Sequence, residues 1–189
     1  MNIHSNDKQK ENKKIGKLIK KVKKYEEITD RIELEVADYL AKVSKGEMST
    51  DTSIRIRGML SIIGDLERIG DIYYQISKTI ESKHEKKIYF KPENREKLVK
   101  LAGLVDEAFD IMMENLSENY SNVTIEKALA KEKEINKYRN AIRKQHLQDI
   151  GAGEYNAVTA TLYSNIFHSL EKVGDHLINV TEGLVGDLD

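Results

Sequence analysis

The chain contains the stretch Leu66-Glu67-Arg68-Ile69-Gly70-Asp71, and 104 residues later it contains Leu170-Glu171-Lys172-Val173-Gly174-Asp175. Four of the six positions are identical, and the other two keep their chemical type. A second pair of motifs, Glu26-x-x-x-Asp30 and Glu132-x-x-x-Asn136, recurs at a separation of 106 residues. Motifs that recur in the same order predict a chain built from two related halves.

Both copies lie in long amphipathic segments. Apolar residues recur every three or four positions, as on one face of an α-helix, in five segments. These segments cover about 13–43, 50–83, 93–119 and 124–150, and a fifth begins shortly after Gly153. A third of the residues are charged and there is one proline, which disfavours β-strands. The sequence predicts an all-α fold, an antiparallel bundle of long helices with short connections.

The boundary between the halves is predicted near residue 88. Residues 84–94 combine mixed periodicity, a basic run and the only proline, Pro92. We therefore expect 1–87 to form the first repeat, with two helices, and 88–189 the second, with three. A rod-like coiled coil is the alternative, because long charged helices need no ligand. Breaks at Gly46, Pro92 and Gly151 favour the compact bundle.

Composition argues against several classes of function. The net charge of -1 gives no overall attraction to nucleic acid, and the absence of cysteine excludes disulfides and thiolate metal sites. Gly151-Ala152-Gly153 lacks the lysine and the serine or threonine of a phosphate-binding loop. Glu81-x-x-His84 has the spacing of a ferritin-like metal motif, but without a second copy it indicates a surface pair. No catalytic set is visible, so an enzyme is not expected.

The acidic motifs are the candidate functional residues. Carboxylates four positions apart on a helix lie on one face, about 6 Å apart at Cβ, and can share a metal ion. One such pair is usually a solvated helix face, but recurrence in register indicates constraint. Gly70 and Gly174 each cost about 1 kcal/mol against alanine inside a helix, which predicts close approach of another helix at the level of the carboxylates. Close packing alone is an equally good explanation of these glycines.

These motifs resemble the PhoU family, whose repeated three-helix units carry acidic E/D-x-x-x-D motifs and a segment close to LERIGDHxxNIAE. The second copy matches best, because Leu170 to Asp175 is followed by His176, Asn179, Val180 and Glu182. The resemblance implies a non-catalytic role in phosphate transport and homeostasis, exerted through contacts with a transporter or with phosphate-signalling proteins.

The resemblance also implies a divalent or iron-type metal ion bound by carboxylates. Four candidate ligands lie in each half: Glu26, Asp30, Glu67 and Asp71 in the first, and Glu132, Asn136, Glu171 and Asp175 in the second. Asn136 stands where the family motif has a carboxylate, so two unequal sites are expected. If one half alone binds metal, the first half is favoured.

One helix of the full family pattern is missing before Glu26, where this chain has a lysine-rich stretch, 8–24. A similar arrangement occurs in the PhoU-like cytoplasmic tail of bacterial sodium/phosphate cotransporters. We therefore expect a cytoplasmic part of such a transporter at the inner face of the cell membrane. The alternatives are a stand-alone PhoU-type regulator and a helical interaction module without metal.

The missing helix has consequences for partners. The first two helices would expose an apolar strip, which self-association or docking to a transporter membrane domain would cover. The lysines of the first helix could contact anionic lipid, although a solvated basic face is the simpler explanation. We expect self-association and no nucleic-acid partner.

Overall fold

A computed structural model describes residues 3–118 and 122–186, with side chains from residue 12 onward. The described chain forms five helices, α1 (Ile3–Val43), α2 (Thr50–Glu85), α3 (Pro92–Ser117), α4 (Glu126–Gly151) and α5 (Ala157–Val185), and contains no strand. The predicted all-α fold is confirmed. The third helix was expected to end near Asn119 with a turn to Asn122, and most of that turn lies outside the described residues.

The start of α1 differs from the prediction. The apolar periodicity begins near Lys13, whereas the helix begins at Ile3. A periodic apolar stripe marks the part of a helix that packs against a neighbour, so a polar extension of the same helix carries no such signal. The lysines of α1 between Lys13 and Lys24 are all exposed.

Local signals explain where α2, α3 and α5 begin and where α5 ends. The Ser49 hydroxyl accepts a hydrogen bond from the Thr52 backbone N–H at 3.2 Å, and the Asn156 side chain accepts one from Thr159 at 2.9 Å. Pro92 opens α3, where its missing N–H is not needed. Gly186 ends α5 in the left-handed region, at φ 76°.

The five helices form a hairpin and a three-helix bundle joined side by side. Helices α3, α4 and α5 each pack against the other two, and α2 joins the hairpin to this bundle through α5. Within the described residues, α1 packs against α2 alone. The core cluster is accordingly built mainly from the second half, with Leu101, Ile135, Tyr163 and Phe167 among its least exposed side chains.

The contact between α2 and α5 is close. A Cβ added to Gly58 would lie 2.6 Å from the Gly183 carbonyl oxygen, so Gly58 cannot be enlarged without moving a helix, and a Cβ at Gly183 would lie 2.8 Å from Ile62 Cγ1. Farther along this interface, the Asp65 carboxylate lies 2.7 Å from His176 Nδ1 and accepts a hydrogen bond from Asn179 Nδ2 at 3.1 Å. This polar link fixes the register of α2 against α5.

No helix in the described part of the chain has both the length and the apolar character needed to cross a membrane.

Candidate metal centre

The first acidic cluster lies between α1 and α2. Oxygen atoms of Glu26, Asp30 and Asp71 all lie within 4.8 Å of one another. Gly70 makes this arrangement possible, because a Cβ there would lie 2.5 Å from Thr29 Oγ1 on α1. The predicted close helix approach at the carboxylate level is therefore confirmed for the first half.

Burial and mutual repulsion shape the electrostatics of this cluster. Burial raises the pKa of Glu26, and the charges of Asp30 and Asp71 raise it further. Oδ1 of Asp30 is buried and has no hydrogen-bond partner. A buried carboxylate oxygen without a donor is costly, and a bound cation would relieve that cost.

Glu67 borders the three grouped carboxylates. Its side chain is 17% exposed, and burial, followed by the charge of Asp71, raises its pKa. The exposed Arg68 places Nε 3.9 Å from Glu67, so the guanidinium sits at the edge of the cluster. Of the four residues predicted for the first half, the structure brings three within ligand distance of one another and places the fourth beside them.

Glu33 also belongs to this region, although it lies outside the repeated motifs. Its charge contributes to the raised pKa of Glu67. A Cβ added to Gly64 of α2 would lie 3.9 Å from Glu33 Oε1, so the side chain faces the α1–α2 contact. The available signal was its spacing, one helical turn beyond Asp30 on the same face.

The second cluster has its own neutralising groups. Arg139 of α4 donates a hydrogen bond to Glu171 of α5, and their side chains are only 16% and 13% exposed. On α4 itself, Asn136 Nδ2 donates to the Glu132 carboxylate. A guanidinium and an amide therefore each donate a hydrogen bond to one of the two glutamates, while Asn136 Oδ1 and Arg139 Nε are themselves buried without a hydrogen-bond partner.

Gly174 allows close approach of α4 and α5, as Gly70 does for α1 and α2. A Cβ at Gly174 would lie 3.1 Å from Ile135 Cδ1 of α4. Close helix approach at the carboxylate level is thus confirmed in both halves. Arg139 supplies the positive charge in this cluster, because it is packed between the helices, whereas Lys172 of the repeated motif is exposed.

In the second cluster, Asp175 is the residue whose charged form is disfavoured by its surroundings. Burial, assisted by the negative charges of Glu171 and Glu132, raises its pKa to about 6. The positive charges of His176 and Arg139 act in the opposite direction but do not cancel these effects.

The two clusters differ at matching positions. At the separation of 106 residues that relates Glu26 to Glu132, Glu33 corresponds to Arg139. The first cluster therefore has five carboxylates, and the second has three carboxylates, an amide and an internal guanidinium. A hard metal ion prefers oxygen ligands with no positively charged side chain packed among them. The carboxylates of the first cluster meet this condition, whereas the second cluster contains the Arg139 guanidinium and does not meet it.

The Glu81-x-x-His84 spacing has a surface explanation in the structure. The Glu81 carboxylate accepts a hydrogen bond from Lys78 on the same helix. His84 Nε2 lies 2.5 Å from the Asn12 side-chain oxygen of α1. The two side chains thus have separate partners.

Comparison with known protein families identifies the family of this chain. Residues 10–80 and 98–184 match the PhoU domain, and together these two segments cover most of the sequence. No curated protein and no solved structure matches the chain. On the strength of the family match, this chain belongs to the PhoU domain family.

Proposed function

We propose that this chain is a regulatory module of phosphate homeostasis that acts through contacts with other proteins and catalyses no reaction. Membership of the PhoU domain family supports the phosphate context. The observation that carries the regulatory site is the grouping of Glu26, Asp30 and Asp71 between two helices. Because these groups come from both α1 and α2, their charge state controls how firmly the hairpin closes.

We further propose that Glu26, Asp30 and Asp71 hold a divalent or iron-type ion, with Glu67 beside them. Such an ion, when bound, supplies positive charge that offsets the repulsion among these carboxylates. The buried Oδ1 of Asp30 and the raised pKa of Glu26 support this assignment. The four second-half candidates, Glu132, Asn136, Glu171 and Asp175, are not carried forward as ligands, because Arg139 already supplies the positive charge there.

Elemental analysis of protein purified without chelator tests this site. The parent chain is compared with a Glu67→Gln, Asp71→Asn variant and with a matched Glu171→Gln, Asp175→Asn control. We expect metal in the parent and the control, and a loss in the first-half variant. Equal metal content in all three would remove the metal proposal and leave a metal-free helical interaction module.

The partner we propose is the membrane domain of a sodium/phosphate cotransporter, with this chain at its cytoplasmic side. The support is membership of the PhoU domain family, which gives the phosphate context. The reading frame upstream of Met1 tests this proposal. Encoded apolar membrane segments would select the transporter, whereas a stop codon would favour a stand-alone regulator of phosphate uptake.

Phosphate uptake tests the regulatory role itself. Uptake is measured in cells that carry the parent chain, the Glu67→Gln, Asp71→Asn variant or no copy at all. We expect uptake to respond to external phosphate differently with and without the parent. An identical response in all three strains would contradict the regulatory role.

A further inference from the structure

One face of α1 is apolar and uncovered. Leu18, Tyr25, Ile32 and Tyr39 occur at every seventh position and are between 47% and 65% exposed. We call these four residues the α1 stripe. A seven-residue apolar repeat is the pattern by which one helix packs along another. Since α1 contacts α2 alone among the described helices, the stripe lacks such a neighbour within the described chain.

The neighbouring face of α2 is also less buried than its counterpart. Met59 and Ile80 are 39% and 43% exposed. The residues 104 positions later on α5, Tyr163 and Leu184, are 2% and 7% exposed. The same helix face is thus covered in the second half and open in the first.

Helix α3 provides the cover in the second half. At a separation of 106 residues, Tyr25 and Ile32 of the stripe correspond to Lys131 and Tyr138 of α4. Both α4 residues contact α3. Lys131 forms an ion pair with Glu107, and a lysine of α3 lies over the Tyr138 ring, 4.8 Å from its centroid. The stripe therefore occupies the position at which a third helix packs.

The direction of that third helix follows from its ion pairs. Glu107 of α3 pairs with Lys131 of α4. Glu114, seven residues later on α3, pairs with Lys127, four residues earlier on α4. Residue numbers rise on one helix as they fall on the other, so α3 runs antiparallel to α4. By the same correspondence, a helix that covers the α1 stripe runs antiparallel to α1.

The charges on α1 favour a second copy of α1 in that antiparallel position. Residues 13–24 contain seven lysines and no acidic residue, whereas 33–38 contain Glu33, Glu35 and Asp38. A parallel pair would align the lysines with one another, and an antiparallel pair aligns them with the acidic stretch. When Leu18 meets Tyr39 and Tyr25 meets Ile32 of the second copy, Lys21 lies within one residue of the level of Glu35.

We infer that two copies of this chain form a two-fold dimer in which the α1 stripes pack antiparallel. The interface is isologous, since the same surface is used on both copies. Each α1 takes the place on its partner that α3 takes against α4. Met59 and Ile80 of α2 then line the edge of the interface.

Sedimentation equilibrium across the micromolar range tests this dimer. Ile32→Asp removes an apolar contact from both copies and should weaken association by at least about tenfold. Leu34→Asp is the control, because Leu34 is 69% exposed and lies outside the stripe. Circular dichroism checks that both variants keep their helix content. A monomeric parent, or equal weakening by both substitutions, would overturn the inference.

A charge exchange tests the antiparallel direction. Lys21→Glu alone and Glu35→Lys alone should each weaken the dimer, because each places like charges opposite one another. The double variant should restore association, and so should an equimolar mixture of the two single variants. Failure of both restorations would overturn the antiparallel arrangement. Within one copy, Glu35 Oε1 lies 3.8 Å from Nε of the exposed Arg31, an ion pair whose loss costs little.

Discussion

The second acidic cluster should make the stability of the protein depend on pH through Asp175. This carboxyl lies partly buried on α5, and Glu171 and Glu132 contribute negative charge around it. Arg139 and His176 contribute positive charge but leave the pKa at about 6, against an ordinary value of 3.8. Asp175→Asn removes the titrating group while keeping nearly the same shape.

The size of the effect follows from this difference in pKa. A rise from 3.8 to about 6 corresponds to an upper limit of about 3 kcal/mol. Solvent screening of a partly exposed carboxyl reduces this to about 1–2 kcal/mol. Since the folded state holds the proton more tightly than the unfolded state, this stabilising contribution is complete below pH 3.8 and is lost as the pH rises through 6.

Urea denaturation at pH 4 and pH 7 measures the effect. The stability of Asp175→Asn relative to the parent should rise by about 1–2 kcal/mol between the two pH values. Asp110→Asn, which removes an exposed carboxyl on α3, is the control for general charge effects. A stability difference for Asp175→Asn that stays constant from pH 4 to pH 7 would refute the reasoning.

Three further predictions concern the helix contacts. Arg139→Gln should destabilise the chain by about 3–5 kcal/mol in thermal or chemical unfolding, because it leaves Glu171 without its nearly buried partner; an unchanged midpoint would contradict this. Gly58→Ala should lower the free energy of unfolding by about 1–3 kcal/mol, because it forces α2 away from α5. Gly103→Ala is the control and should not destabilise the chain, because there is open space around Gly103. Equal effects of the two substitutions would argue against close packing of α2 and α5. Asn136→Asp with Arg139→Glu should create a second Mn²⁺ site, seen as added binding stoichiometry in calorimetry; unchanged stoichiometry would count against the charge comparison.

Periodicity predicted α2 to α5 well because each of them buries an apolar face, and it missed the polar beginning of α1. Local signals located connections between helices: Gly46 precedes α2, Pro92 opens α3 and Gly151 ends α4. Gly70 and Gly174 predicted close helix approach because glycine inside a helix is otherwise unfavourable. These features depend on residues near one another in the sequence, so they could be predicted from the sequence.

The composition of each cluster was harder to predict. Glu33 and Arg139 occupy matching positions one turn beyond the recognised motifs, and this spacing alone does not distinguish them from ordinary surface charges. Their roles depend on which residues the neighbouring helix places opposite them. The link between Asp65 and His176 likewise could not be predicted from the sequence, because it joins residues 111 positions apart whose side chains meet only in the folded chain.

Calorimetric titration of the chelator-stripped chain with Mn²⁺ tests the central claim, that the first cluster holds a cation and the second does not. We expect one site per chain, lost in Asp71→Asn and kept in Asp175→Asn. The absence of Mn²⁺ binding to the parent, or equal loss in the two variants, would contradict it.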